Sequence, residues 1–344
     1  AYNTLDTKVN NNKTKYYSVN DQVPNIFKSA AEEYAQYLNA DNKGAKEFAG
    51  QAAGYMTYTS GIASTVGGSF SGILNEAATP GSNDYRGAAA LSYGTFNIND
   101  NTSASQNYSG VANSIIGQAN MTTDSNAAII VGAGNSVTNS YRDIDTTNAG
   151  AILQSLKDPQ KLNNALKAAV PKSGAQVMVM GGGNSVDKAY MTQVVGVGNK
   201  VTGHDTTYAE GTSTQYNYVD GFQNTLTNGK NDYIIGANNS VTGDSIDKNQ
   251  SNIVVGDNHT LNNEKNNVVL GSADSSKELA ASGAVVIGHN ADVSVDNGVA
   301  LGSDSVASVE ESQKGYDPAA TVTNKTTAPW TSTKAAVSVG KADG

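Results

Sequence analysis

Two or three aliphatic residues, a glycine, and then small polar residues rich in Asn and Ser recur about ten times along this chain. The clearest copies are Ile129-Ile130-Val131-Gly132-Ala133-Gly134-Asn135-Ser136-Val137 and Val194-Val195-Gly196-Val197-Gly198-Asn199-Lys200-Val201. Ile234-Ile235-Gly236-Ala237-Asn238-Asn239-Ser240-Val241 and Val299-Ala300-Leu301-Gly302-Ser303-Asp304-Ser305-Val306 repeat it. The phrase glycines are Gly117, Gly132, Gly181, Gly196, Gly236, Gly256, Gly271, Gly288, Gly302 and Gly340. Several neighbouring pairs, such as 117 and 132 or 256 and 271, are 15 apart. A short period of this kind predicts a one-dimensional stack of coils with an extended binding surface.

A strand of about five residues, a turn, a second strand and a second turn make about 15 residues, one coil of a parallel β-roll or β-helix. A flattened, two-sided coil fits this length better than a three-sided one. The glycine after the aliphatic burst supplies positive φ or room for the coil above. Asn and Ser at one place in successive coils satisfy turn backbone groups. Ile129-Ile130-Val131 and Val285-Val286-Ile287 are apolar at consecutive positions, so both strand faces must be covered. One face packs within the coil. The other predicts an apolar stripe too large for a soluble monomer, and hence an obligate subunit interface.

Residues 1–60 are expected to form an N-terminal arm and short helices that cap the tip. Asp21 and Pro24 start a helical pattern through Ile26, Phe27, Ala30, Ala31, Tyr34 and Leu38, and a second runs over Ala45, Phe48, Ala49, Ala52 and Tyr55. Residues 61–302 form the roll. Ala63-Ser64-Thr65-Val66-Gly67 and Ala90-Leu91-Ser92-Tyr93-Gly94 carry the phrase loosely. An insertion at about 139–175 holds a helix starting at Asp158-Pro159 and stopped by Pro171 and Gly174. Another, at about 203–230, contains Tyr208, Tyr216, Tyr218 and Phe222. These four make either the loop's own hydrophobic cluster or a partner-contact surface. Residues 303–344 form a late insert and a final coil.

The net charge of -9 argues against nucleic acid or an anionic membrane as partner. The chain has no cysteine, which suits a protein exported unfolded into an oxidising compartment. With no signal peptide and no run of 18 apolar residues, it reads as a fragment whose targeting and anchoring parts lie elsewhere. Gly132-Ala133-Gly134 and Gly196-Val197-Gly198 lack the third glycine of a dinucleotide fingerprint. Gly181-Gly182-Gly183-Asn184 lacks the aspartates of a calcium-binding roll. His204, His259 and His289 have no metal-ligand spacing, and the last two are expected in exposed turns. No cofactor, metal or catalytic residue is expected.

Gly298-Val299-Ala300-Leu301-Gly302-Ser303-Asp304-Ser305-Val306-Ala307 resembles the head repeat of trimeric autotransporter adhesins, the YadA-like family. Gly298 departs from the serine usual there. Gly315-Tyr316-Asp317-Pro318 through Trp330, ending at Ala336-Val337-Ser338-Val339-Gly340, resembles the insert late in such heads, before the neck. The resemblance spans about 110–340 firmly and 60–110 loosely. It implies a homotrimeric, left-handed parallel β-roll on the outer membrane of a Gram-negative bacterium. It implies non-catalytic attachment to host matrix, cell-surface protein or glycan, or to partner bacteria, with the membrane reached only through an anchor outside this sequence. A carbohydrate-active β-helix enzyme and a passive structural spacer remain the alternatives.

Overall fold

The computed structural model describes residues 51–59, 61, 64–75, 86–102, 106, 108–144, 160, 161, 163, 164, 167, 174–205, 208–316 and 330–340. The expected arm and first helix lie outside these residues. So do most of the expected insertion helix and residues 317–329 of the late insert. Gln160, Lys161, Asn163, Asn164 and Lys167 are helical, downstream of Asp158-Pro159 as the capping pattern predicts.

The chain divides into two units, residues 1–191 with 206–208, and residues 192–205 with 209–344. In the first, β1 (Gln51–Tyr55), β3 (Thr65–Ser69), β5 (Leu91–Thr95), β7 (Ser114–Gln118), β9 (Ile129–Ala133) and β11 (Met178–Gly182) lie side by side in that order. The strands between them, β2 (Tyr58–Thr59), β4 (Gly72–Asn75), β6 (Ile98–Asn101), β8 (Met121–Thr123), β10 (Ser136–Thr138) and β12 (Ser185–Asp187), line up as a second sheet.

The second unit repeats the plan. Its first sheet holds β13 (Gln193–Val197), β15 (Tyr218–Phe222), β17 (Tyr233–Ala237), β19 (Ile253–Val255), β21 (Val268–Leu270), β23 (Val285–Ile287), β25 (Val299–Leu301) and β27 (Val337–Ser338). Its second holds β14 (Lys200–Thr202), β16 (Thr225–Thr227), β18 (Ser240–Thr242), β20 (His259–Asn262) and β22 (Lys277–Leu279), with β24 (Asp292–Val293) and β26 (Val306–Ala307) paired apart. Every pair of named strands is parallel and joins like positions of the repeat, so Ile115 lies beside Ile130 and Gly117 beside Gly132. These are stacked parallel sheets, the architecture of a β-roll or β-helix.

Three registers correct the sequence reading. Gln51–Tyr55 is a strand paired with β3, so Ala52 and Tyr55 belong to a coil and not to a helix. The phrase glycine of β3 is Gly68, beside Gly54 and Gly94, and not Gly67. Gly221 also belongs to the glycine row, between Gly196 and Gly236. The tyrosine-rich insertion therefore ends before β15, and Tyr218 and Phe222 are strand residues.

The glycine row is forced by space. A Cβ on Gly132 would stand 1.8 Å from the carbonyl oxygen of Gly181, and φ at Gly132 is +139°. No other residue fits where backbones approach this closely. One turn later an asparagine ladder closes the coils. Asn135 donates from Nδ2 to the Gly181 carbonyl at 2.8 Å and to Oδ1 of Asn120 at 3.0 Å. Its own Oδ1 accepts the backbone N–H and the Nδ2 of Asn184, both at 3.0 Å. In the second unit Asn199, Asn224 and Asn239 repeat this. These residues are buried with every bond made, which is what makes a polar line tolerable in a thin core.

Candidate functional site: an apolar outer sheet face

Alternate strand residues point to opposite sides of a sheet. In the second unit the inward row includes Val219, Ile234, Val254 and Val269, each essentially fully buried. Except for Asp220 beside Val219, the outward neighbours in this row are apolar as well. Tyr233 remains 50% exposed, Ile235 41%, Ile253 40% and Leu270 38%. Registers place Tyr233 beside Ile253, and Val255 beside Leu270, which lies beside Ile287. In the first unit Ile129, 48% exposed, Ile116 and Met180 stand on the outer face of the corresponding sheet.

The second sheet is built otherwise. Val201 is flanked by Lys200 and Thr202, Leu226 by Thr225 and Thr227, and Val241 by Ser240 and Thr242. Val137 and Val186 of the first unit sit between Ser136 and Thr138, and between Ser185 and Asp187. In these five strands only the central residue is buried, and the outward pair is polar or charged; β8 departs from this with Met121, which is exposed. The same coils thus present a water-compatible face on one sheet and a repeated aliphatic face on the other. A repeated exposed aliphatic face is the mark of a surface meant to be covered.

The four aromatic candidates do not converge. Tyr208 belongs with the first unit, where its ring lies 5.2 Å from that of buried Tyr190 and the Arg142 guanidinium carbon sits 4.5 Å from its centroid. It is a packed ring in a cation–π contact. Nearby, the Tyr141 hydroxyl donates to Asp143 at 3.0 Å, and burial raises its pKa beyond the ordinary phenol range. Tyr216 holds φ of +60° at the turn entering β15. Tyr218 opens β15, donates to Asp220 at 3.2 Å and faces Tyr233 with ring centroids 6.5 Å apart. Phe222 closes that strand beside Val197 and Ala237. Tyr218 and Phe222 are therefore parts of the apolar sheet face, not of a separate loop cluster.

The phrase glycines Gly117, Gly132, Gly196, Gly236, Gly256, Gly271 and Gly288 each meet the next glycine's carbonyl, and Gly181 shares their positive φ. Gly302 and Gly340 keep positive φ without a glycine carbonyl against them. His204 is exposed beside Asp205, and His289 pairs with Asp274 at 3.1 Å. His259 is not in an exposed turn: it takes the asparagine place of its coil, is buried, and contacts the Gly271 carbonyl through Nε2. Among the described residues no three His, Cys, Asp or Glu side chains are grouped to hold a metal ion.

Sequence reasoning missed Asp232. It occupies a second buried ladder, ahead of the strand, that includes Asn217, Asn252 and Asn267. Its signal was available as the polar residue that precedes several of the strands, at Asn217, Asp232, Asn252 and Asn267. No protein-family model matches this chain, and no curated protein matches it.

Proposed function

We propose that this chain is the head of a trimeric autotransporter adhesin. Three copies of a left-handed parallel β-roll, with coils of about 14–15 residues, join along the apolar sheet face. The observation that supports this reading is the contrast between the two sheets. Exposed Ile, Leu and Tyr recur on one, and Thr, Ser and Lys on the other. Covering an aliphatic side chain contributes about 1.5–3 kcal/mol. A face repeated over many coils therefore outweighs the entropy of association. The polar sheets and turns then form the displayed exterior of a cell-surface head, anchored by parts outside this sequence. Attachment is by binding without chemistry, to a matrix protein, a glycan or another bacterium, and avidity from three copies strengthens weak contacts.

Sedimentation equilibrium tests the assembly. The chain should run at three times its 35.4 kDa mass at micromolar concentration. The pair Ile253→Glu and Leu270→Glu should shift it to monomer, whereas Thr227→Glu on the polar sheet should not. A monomeric parent chain overturns the reading. Adhesion is tested by the attachment of beads carrying the assembled chain to matrix proteins, glycans and bacterial cells.

A further inference from the structure

Successive coils of the second unit are tied together by pairing in both sheets, by the glycine row and by buried asparagines. These ties weaken together between the coil of β21 and β22 and the coil of β23 and β24. Pairing continues from β21 to β23, but β22 is the last strand of the second sheet, and β24 pairs with β26 alone. A Cβ on Gly221, Gly236 or Gly256 would stand 1.9 Å from the next glycine's carbonyl oxygen, whereas one on Gly271 would stand 2.5 Å from that of Gly288. The step from Gly271 to Gly288 is 17 residues, against 15 from Gly256 to Gly271.

The asparagine ladder changes chemistry as it nears this seam. Asn224 and Asn239 each donate to the next glycine carbonyl at 2.7 Å. His259 takes the following place and still reaches the Gly271 carbonyl, but the register puts Lys277 beside it in the coil after. Lys277 has no amide to continue the ladder. Its Nζ lies 3.5 Å from Oδ2 of Asp292 across the seam, with the two side chains 29% and 31% exposed. At the neighbouring corner Asp274 meets His289 at 3.1 Å and accepts from Asn290 at 2.8 Å, again in the open. The ladder ahead of the strands ends at Asn267, whose Oδ1 accepts the Ala284 N–H at 2.8 Å. A joint closed elsewhere by buried amides is thus closed here largely by groups that water and salt can reach. Such contacts hold less strongly and are screened by salt.

We propose that the coils of β23 to β26 part from the rest of the roll along this seam, with the Lys277–Asp292 ion pair as the clasp that closes it. Every group named belongs to a single chain, so the inference stands apart from the trimer reading. Residue-resolved hydrogen exchange on the full chain tests it. The N–H groups of Val268, Gly283, Gly288 and Asn290 donate across the seam, to Ala284, Lys265, Leu270 and Ser272. Those of Ile253, Asn266, Gly271 and Ala273 make the same kind of bond one coil earlier, to Asn267, Gln250, Val255 and Asp257. The seam set should exchange about tenfold faster than the earlier set, as local opening allows. Raising NaCl from about 0.05 M to about 0.5 M should speed the seam set alone, by about twofold or more. Lys277→Gln and Asp292→Asn should each give the fast rate at low salt and abolish the response to salt. Equal rates in the two sets overturn the proposal, as does a seam rate that neither variant moves. So does faster exchange at Val285 and Gly302, which donate beyond the seam to Gly298 and Ile287, because that is fraying from the end of the stack. Sedimentation of both variants at the parent mass keeps this result separate from any failure of the trimer reading.

Discussion

The backbone N–H of Asp232 donates to Oδ1 of Asn217 at 3.0 Å, so an aspartate stands in a ladder otherwise made of asparagine. Oδ1 of Asp232 accepts the Asn252 N–H at 2.8 Å, and Oδ2 accepts the Lys230 N–H at 3.1 Å. These bonds favour the carboxylate, but burial outweighs them and pushes the pKa up to about 7. The fold therefore prefers the protonated acid. Its contribution is fully present below the unfolded value near 3.8 and is lost as pH rises to about 7. The shift corresponds to up to about 4 kcal/mol per chain.

Asp232→Asn should remove that loss. Denaturant unfolding at intervals from pH 4 to pH 8 should show the parent chain weakening across the interval and the variant losing this part of the slope. The variant should be the more stable of the two at pH 8. An unchanged slope would mean that Asp232 is hydrated in the folded chain.

His259 works in the opposite direction. Burial depresses its pKa below the ordinary imidazole value of 6.5, so the fold prefers the neutral ring. That contribution is present above 6.5 and is lost as pH falls below it. The His259 N–H also donates to Oδ1 of Asn239 at 3.0 Å, in the manner of an asparagine. His259→Asn should keep the ladder and flatten the acid side of the stability profile, read as melting temperature between pH 7 and pH 5. A variant that melts with the parent's acid slope would relocate that slope to another group.

Gly132 and Gly183 separate two reasons for a glycine. At Gly132 a methyl group would meet the Gly181 carbonyl oxygen at 1.8 Å, and at Gly183 it would meet nothing within 4 Å. Gly183→Ala should cost only the left-handed conformation, about 1–2 kcal/mol. Gly132→Ala must separate two strands and should cost more than about 4 kcal/mol, in the range of the most damaging substitutions. Circular dichroism and thermal melting of the two variants give the comparison.

The phrase glycines and the doubly apolar bursts were legible because one residue type, repeated in register, carries each constraint. Where the burst is diluted, the pattern fails. Asp220 interrupts Tyr218-Val219-Asp220-Gly221, so the coil of β15 read as a loop. In β5, β6 and β8 the inward residues are Ser92, Asn99 and Thr122. Thr122 donates to Oδ1 of Asn99 at 2.9 Å, a polar core that hydrophobic periodicity cannot register. Ala52 and Tyr55 fit a helical spacing equally well, and only the pairing of Gly54 with Gly68 decides for strand. His259 read as an exposed turn residue and Asp232 did not stand out, because burial in a ladder depends on neighbours a coil away.

Asn135 offers the sharpest test of the ladder itself. It donates to the Gly181 carbonyl and to Asn120, and accepts twice from Asn184. Asn135→Ala strands these buried groups, each worth about 1–3 kcal/mol when left unpaired, and the loss should not depend on pH. Asn135→Asp keeps the two acceptor bonds from Asn184 but cannot donate from a carboxylate. Ionised, it would face the Asn120 Oδ1 and the Gly181 carbonyl as a buried charge. The variant should therefore approach the parent's stability near pH 4 and weaken steadily towards pH 8, reproducing the behaviour assigned to Asp232. Urea unfolding at those two pH values distinguishes the variants. Parallel losses for alanine and aspartate at both would show that the ladder tolerates charge, and would remove the basis for the Asp232 assignment as well.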